Sequence, residues 1–282
     1  MNERGGFDTG VQDSSGRWPD LPRAWSYSSL KEAEECPRRW MLRRASYPRI
    51  WARQGYPPRP IVPTLLGEAI HRVIEIVVRA LHARNCTSLA DPSAVSALKE
   101  LGGYSHLAER VIAELLEPLA GNPRSSRHVD ELRVALLAKV PDMRQRAQDI
   151  IARTSLQPPA GAGTGGPSSS RRVPLREGSY PEVELQAASL RFRGRVDLIT
   201  IGDEACGMTD YKTGAPKPDH PDQLRIYALL WNHDSELNPN SFPVLRLTVS
   251  YTSHDVAVDP PSAAELNELA SHLIARVQAA LP

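Results

Sequence analysis

Residues 194–214 read GRVDLITIGDEACGMTDYKTG, and the fold turns on how this stretch pairs with itself. Two β-rich runs, 196–201 and 204–211, flank Gly202-Asp203, a hairpin signal. With the turn centred between Asp203 and Glu204, residues whose numbers sum to 407 face each other. Asp197 and Asp210 then stand opposite, on one face, with Cβ atoms roughly 5 Å apart. Alternation returns Lys212 to that face. Two carboxylates so close do not both stay ionised unless a cation lies between them. Oxygen ligands at this spacing suit Mg²⁺ or Mn²⁺. A neighbouring lysine orients or activates a water for in-line attack on phosphorus, or stabilises the charge that develops there. Carboxylate, carboxylate and lysine together form a set suited to phosphodiester hydrolysis.

Outward from this hairpin the chain divides by periodicity. VELQAASLRFRGRVDLITI and ACGMTDYKT read as strands, PDQLRIYALLWNHD as a helix with Pro221 in its first turn, and PVLRLTVSYT as a further strand. SAAELNELASHLIARVQAAL closes the chain as an amphipathic helix. Upstream, residues 64–83 form the clearest helix, with Leu66, Ile70, Val73, Ile74, Val77, Val78 and Leu81 in one apolar stripe. Further helices are expected between about 92 and 153. A short helix near Ser29 and Glu32, which are spaced as a capping box, runs to Cys36, and Pro37 ends or kinks it. Residues 1–22 read as a disordered tail and 157–170 as a flexible low-complexity loop. The sum is an α/β or α+β domain over 23–282.

Composition narrows the function classes. The net charge of +1 gives no global basic field, so any nucleic-acid surface must be local. Three cysteines (Cys36, Cys86, Cys206) without a C-x-x-C pair indicate neither a disulfide framework nor a four-thiolate metal site. There is no membrane-length apolar run and no apolar leader segment, so no membrane partner is expected and the cytoplasm is the expected compartment. Lys212-Thr213-Gly214 lacks the preceding glycines of a phosphate loop.

GRVDLI, then TDYKTG, then QLRIYALL resembles the core of the RecB-like branch of the PD-(D/E)XK nucleases. That branch includes the nuclease domain of bacterial recombination helicases and the CRISPR-associated adaptation nuclease. WSYSSLKEAEECPRRW is similar to its N-terminal Ser-rich, Cys-Pro-Arg-Arg-aromatic segment, and LLGEAIHRVIE to its Gly-x-x-x-His helix. The likeness runs in order from about 25 to 231. It implies a restriction-endonuclease-like α/β core, a mixed central sheet flanked by helices, with 92–153 as a helical insertion. It makes His71, Asp197, Asp210 and the backbone carbonyl of Tyr211 the metal ligands and Lys212 the catalytic lysine. Gln223 and Tyr227 match a Gln-x-x-x-Tyr motif that binds DNA phosphate or orients Lys212. Glu184 lies where some relatives carry an acidic residue.

Several relatives also hold an iron–sulfur cluster, through a cysteine placed like Cys36 and three more near the C-terminus. No cysteine follows Cys206 here, so no such cluster is expected, and Cys36 is expected as a buried packing residue. Arg38, Arg39 and Trp40 are candidates for phosphate contact and base stacking, or for a cationic face over a buried aromatic. The implied activity is a Mg²⁺- or Mn²⁺-dependent DNA nuclease, exonucleolytic rather than site-specific, in repair, recombination or anti-phage defence. DNA delivery by a helicase or another repair or defence protein would suit the near-neutral charge. The competing reading is a catalytically silent nuclease-like subunit that binds DNA or scaffolds a complex, and an RNase is a third.

Overall fold

The structure, a computed structural model, describes residues 22–47, 49–51, 55–157 and 172–280. The expected N-terminal tail and the expected loop over 157–170 lie almost wholly outside the described residues. In chain order the helices are α1 (Tyr27–Glu35), α2 (Pro37–Arg44), α3 (Val62–Ala83), α4 (Pro92–Glu100), α5 (Gly103–Leu116), α6 (Val129–Leu137) and α7 (Val140–Arg153). Strands β1 (Gly178–Ala187), β2 (Phe192–Gly202) and β3 (Ala205–Lys212) follow, then α8 (His220–His233), β4 (Val244–Tyr251), β5 (Asp255–Val258) and α9 (Ala263–Ala279).

The strands form one sheet in the order β1-β2-β3-β4-β5. β1, β2 and β3 make an antiparallel meander, and β3 pairs parallel with β4 through the α8 crossover. The β2–β3 ladder has the register that the turn predicts, from Gly202↔Ala205 to Leu198↔Thr209. Asp203 and Glu204 both take positive φ (48° and 58°), as a two-residue hairpin turn demands. The mixed sheet is flanked by helices, which is the restriction-endonuclease-like α/β fold. On one face α1, α2, α8 and α9 bury Trp25, Leu30, Trp40, Leu229, Trp231 and Leu273 against Phe192, Ile199 and Val249. On the other, α3 to α7 bury Ile70, Ile74, Leu107, Met143 and Ile150 against Leu198 and Tyr211.

Several boundaries differ from the sequence expectation. The stretch 183–201 is two strands, because a 3-10 turn at Ala188–Leu190 reverses the chain. Strand β5 has only four residues, three of them exposed, too short for a periodic signal. Ser26, not Ser29, caps α1, accepting from the Ser29 amide at 3.2 Å. Cys36 is a half-buried extended joint that ends α1 and starts α2, rather than a fully buried packing residue.

Of the two readings the sequence leaves open for Trp40, the structure has the buried aromatic. It is 3% exposed, stacks on Trp25 at 5.0 Å, and donates from Nε1 to Ser29 Oγ at 3.1 Å. The Arg44 guanidinium lies 4.9 Å from its ring centre. A base needs an exposed ring face, so Trp40 belongs to the core and stacks on no nucleotide. Trp40→Ala should therefore lower unfolding free energy by about 3–5 kcal/mol. Denaturant titration checks this, and a loss below about 1 kcal/mol would contradict its core role.

Candidate metal and catalytic centre

The site forms where the β2–β3 ladder stops. Beyond Leu198↔Thr209 the Tyr211 amide donates to the Asp197 carboxylate (Oδ2, 2.6 Å). A side chain thus occupies the place of a backbone partner, and the pairing expected between Asp197 and Asp210 lies past the ladder's end. Side chains on β3 alternate cleanly: Cys206 and Met208 join the α8 core and Tyr211 the α3 core. Asp210 and Lys212, at the same parity as Met208, therefore face α8. Asp210 is 2% exposed, and Lys212 Nζ lies 2.6 Å from its Oδ2.

Along β2 the alternation breaks. Phe192 and Val196 face the α8 core, and so do Ile199 and Ile201, whereas Leu198 faces α3. The parity changes at Asp197, opposite Glu182 of β1. Pairing runs Val183↔Val196 and Pro181↔Leu198, with Glu182 between them at φ 55°. This kink in both strands brings Glu182 and Asp197 to His71 of α3. The three offer ligand atoms within 4.8 Å of one another, with His71 Nδ1 3.6 Å from Asp197 Oδ1.

The electrostatics record crowded like charge. Burial first, then Asp197 and Glu75, push the Glu182 carboxyl up to about 7. Burial, then Asp197, also raises Asp210 above the usual carboxylate range, against the pull of Lys212. At His71 burial opposes the imidazolium, but the Asp197 hydrogen bond and the charges of Asp197 and Asp210 outweigh it, and the pKa is raised. Asp210 is buried, with the Lys212 ammonium against its Oδ2. An imidazole, two half-buried carboxylates and a buried carboxylate make a donor set that fits a hard divalent cation.

A family model described as the PD-(D/E)XK nuclease superfamily matches residues 24–281. The chain belongs to the PD-(D/E)XK nuclease superfamily. No curated protein matches it. Superfamily members generally are metal-dependent nucleases, and the cluster on β1, β2 and α3 provides an acidic site of that kind.

Within this superfamily member, Gln223 of α8 accepts from Lys212 Nζ at 3.0 Å and donates to Tyr227 Oη at 2.5 Å. The i, i+4 spacing puts both on one helix face, and the chain Tyr227–Gln223–Lys212 fixes where the ammonium points. Tyr227 is 5% exposed and connects to Lys212 through Gln223. Two glycines permit the close approach of the helices. A Cβ on Gly194 would fall 2.6 Å from Tyr227 Cε1, and one on Gly67 would lie 3.3 Å from Thr213 Oγ1.

Of the remaining sequence candidates, Arg38 is exposed. Arg39 is paired with Glu32 (3.3 Å) and Glu35 (2.8 Å), so its charge is already matched. Glu184 lies outside the cluster, 4.0 Å from Arg193 and bonded to Gln186. The acid that reaches the site is Glu182, two residues earlier. The β1–β2 register, in which numbers sum to 379, would have placed Glu182 opposite Asp197 had the turn at 188–191 been recognised.

Gly194→Ala should push the Tyr227 ring aside, break its bond to Gln223 and free Lys212. Phosphodiester cleavage should fall on the order of 100-fold with the fold intact. Wild-type turnover in a variant with native circular dichroism would refute the positioning chain.

Proposed function

We propose that the protein is a divalent-metal-dependent DNA nuclease of the RecB-like branch, acting on DNA ends. The observation that carries this reading is the His71–Glu182–Asp197 cluster, with the buried Asp210–Lys212 ion pair beside it. His71, Glu182, Asp197, Asp210 and the Tyr211 backbone carbonyl are the groups that would hold Mg²⁺ or Mn²⁺. The cation, when bound, supplies positive charge against the phosphoryl oxygens and toward an attacking water. Asp197 and Asp210 fix the site's position through the strand that ends there. Lys212 directs its ammonium at the attacking water or at the charge that builds on phosphorus. Gln223 and Tyr227 keep that ammonium aimed, and Gln223, half-buried at the site's edge, can also meet a DNA phosphate. With a net charge of +1 the chain has little long-range pull on DNA. A helicase or another repair, recombination or anti-phage component delivering the strand is consistent with that.

The deciding measurement is cleavage of linear single-stranded, linear duplex and circular DNA in Mn²⁺ and Mg²⁺. Asp210→Ala and Lys212→Ala should each abolish cutting, and circles should resist. Cutting by either variant would overturn the assignment of the site. Mn²⁺ binding that depends on Asp197, without cutting by any form, would favour a partner-dependent enzyme. Absence of both would favour a silent scaffold.

The titrating groups of the cluster also predict a pH dependence. A metal competes with protons on Glu182, whose carboxyl is held up to about 7, and on the raised Asp210 and His71. Affinity for Mn²⁺ should therefore rise from about pH 6 to about pH 8, with proton release on binding. Glu182→Gln should weaken binding and flatten this rise. Calorimetry in buffers of different ionisation enthalpy would show it, and a pH-independent affinity would exclude Glu182 as a ligand.

A further inference from the structure

Between Glu35 and Glu68 the chain carries seven arginines and no aspartate, glutamate or lysine, in a protein whose net charge is only +1. The described part of this stretch is built rather than loose. The Gly55 amide donates to Ala45 O (2.9 Å) and the Tyr56 amide to Leu42 O (3.2 Å), folding the segment back on α2. Gly55 takes φ 84°, where a Cβ would collide with Arg43 O. From the helical layer, Arg124 donates to Pro57 O (3.1 Å) and Asn122 to Pro58 O (2.8 Å). The Arg124 guanidinium also lies 5.2 Å from the Tyr56 ring.

Both ends of this strap are tied to the loop that follows Lys212. On one side Lys31 of α1 pairs with Asp219 at 2.5 Å. On the other, α3 packs through Gly67 against Thr213, one turn before His71. The strap therefore runs from one helical layer to the other, and the helices at its two ends meet the loop that leads out of the catalytic centre.

Its surface carries two kinds of group. Arg39 and Arg43 are spent on Glu32 and Glu35, and Arg44 on Ser29 and Trp40. Arg38, Arg49 and Arg59 are exposed, without an ion-pair partner among the described residues. Between them Leu42, Ile50, Tyr56 and Ile61 are 42–54% exposed. Guanidinium groups meet phosphates, and exposed apolar and aromatic groups meet bases. A duplex presents phosphates but keeps its bases stacked inside, so the apolar groups gain contact only with an unpaired strand.

We propose that this strap, through Arg38, Arg49, Tyr56 and Arg59, carries a single DNA strand to the catalytic centre. It rests on the nuclease reading above for its substrate, and its test needs no turnover. Binding of an end-labelled oligothymidylate of about 20 nucleotides is followed by fluorescence anisotropy against salt, in a Lys212→Ala background with Ca²⁺ present. Each phosphate contact contributes about 0.7 to the slope of log K against log salt for a single strand. The triple variant Arg38→Ala/Arg49→Ala/Arg59→Ala should thus lower the slope by about 2. The matched control Lys99→Ala/Arg133→Ala/Lys139→Ala, three exposed cations of the helical layer, should leave it unchanged. Tyr56→Ala should weaken single-strand binding about five-fold or more, and Tyr56→Phe should restore it.

All substituted side chains are exposed or nearly so, and circular dichroism verifies that each variant folds. Bromodeoxyuridine crosslinking of the unsubstituted strap should also label residues between 42 and 61. An unchanged slope in the strap triple, an equal fall in the control, or no binding of the single strand would overturn the proposal. Cleavage with an unaltered slope would sink the strap alone. A lowered slope without cleavage would leave the strap standing and count against the nuclease reading.

Discussion

Asp210 sets the terms for the rest of the molecule. Its carboxylate is 2% exposed on the middle strand of the sheet, with Asp197 close by. Burial and like charge both oppose ionisation, so the surroundings must supply positive charge or protons. Lys212 supplies the first, at 2.6 Å, and His71 approaches from the opposite layer. The packing serves that need. Gly194 lets the Tyr227 ring lie on β2, Tyr227 holds Gln223, and Gln223 holds Lys212. On the far side Arg146 of α7 donates to Thr213 O at 3.0 Å, fixing the chain one residue beyond Lys212.

Much of this was legible in the sequence because it depends on short-range rules. Gly202-Asp203 set the hairpin register, and alternation put Asp210 and Lys212 on one face. The apolar stripe of residues 64–83 gave α3, with His71 half-buried on it, and i, i+4 spacing joined Gln223 to Tyr227. These readings need only a turn type and a period. The family likeness added the order of the motifs, which no single period contains.

The failures share a different cause. Glu182 reaches the site because β1 and β2 kink together, with a glutamate at positive φ in mid-strand, and propensity gives no sign of that. Alternation from Leu185 favours neither Glu182 nor Glu184, since both share its opposite parity; the β1–β2 register, which pairs Glu184 with Arg195, separates them. Trp40 stays open in the sequence between a nucleotide platform and a buried aromatic, because arginines surround it. Its burial is decided by Trp25, fifteen residues earlier, and by a serine on the neighbouring helix. Tyr227 likewise belonged to a motif whose members divide in space, one at the site's edge and one beneath it.

The break in the β2–β3 ladder explains why the two helical layers can cooperate at all. A continuous sheet separates them: α8 packs on one face and α3 on the other, each with its own buried cluster. Side chains from opposite faces meet only where a strand pair opens. Asp197 accepts the Tyr211 amide at that opening, so the hydrogen bond lost from the ladder is recovered by the carboxylate itself. The same carboxylate then faces His71 from the α3 layer, while Lys212 and Gln223 arrive from the α8 side. A site at this seam takes His71 from the α3 layer and the support of Lys212 from the α8 layer. Their relative position is therefore fixed by the whole sheet and not by a loop, which suits chemistry that tolerates little displacement.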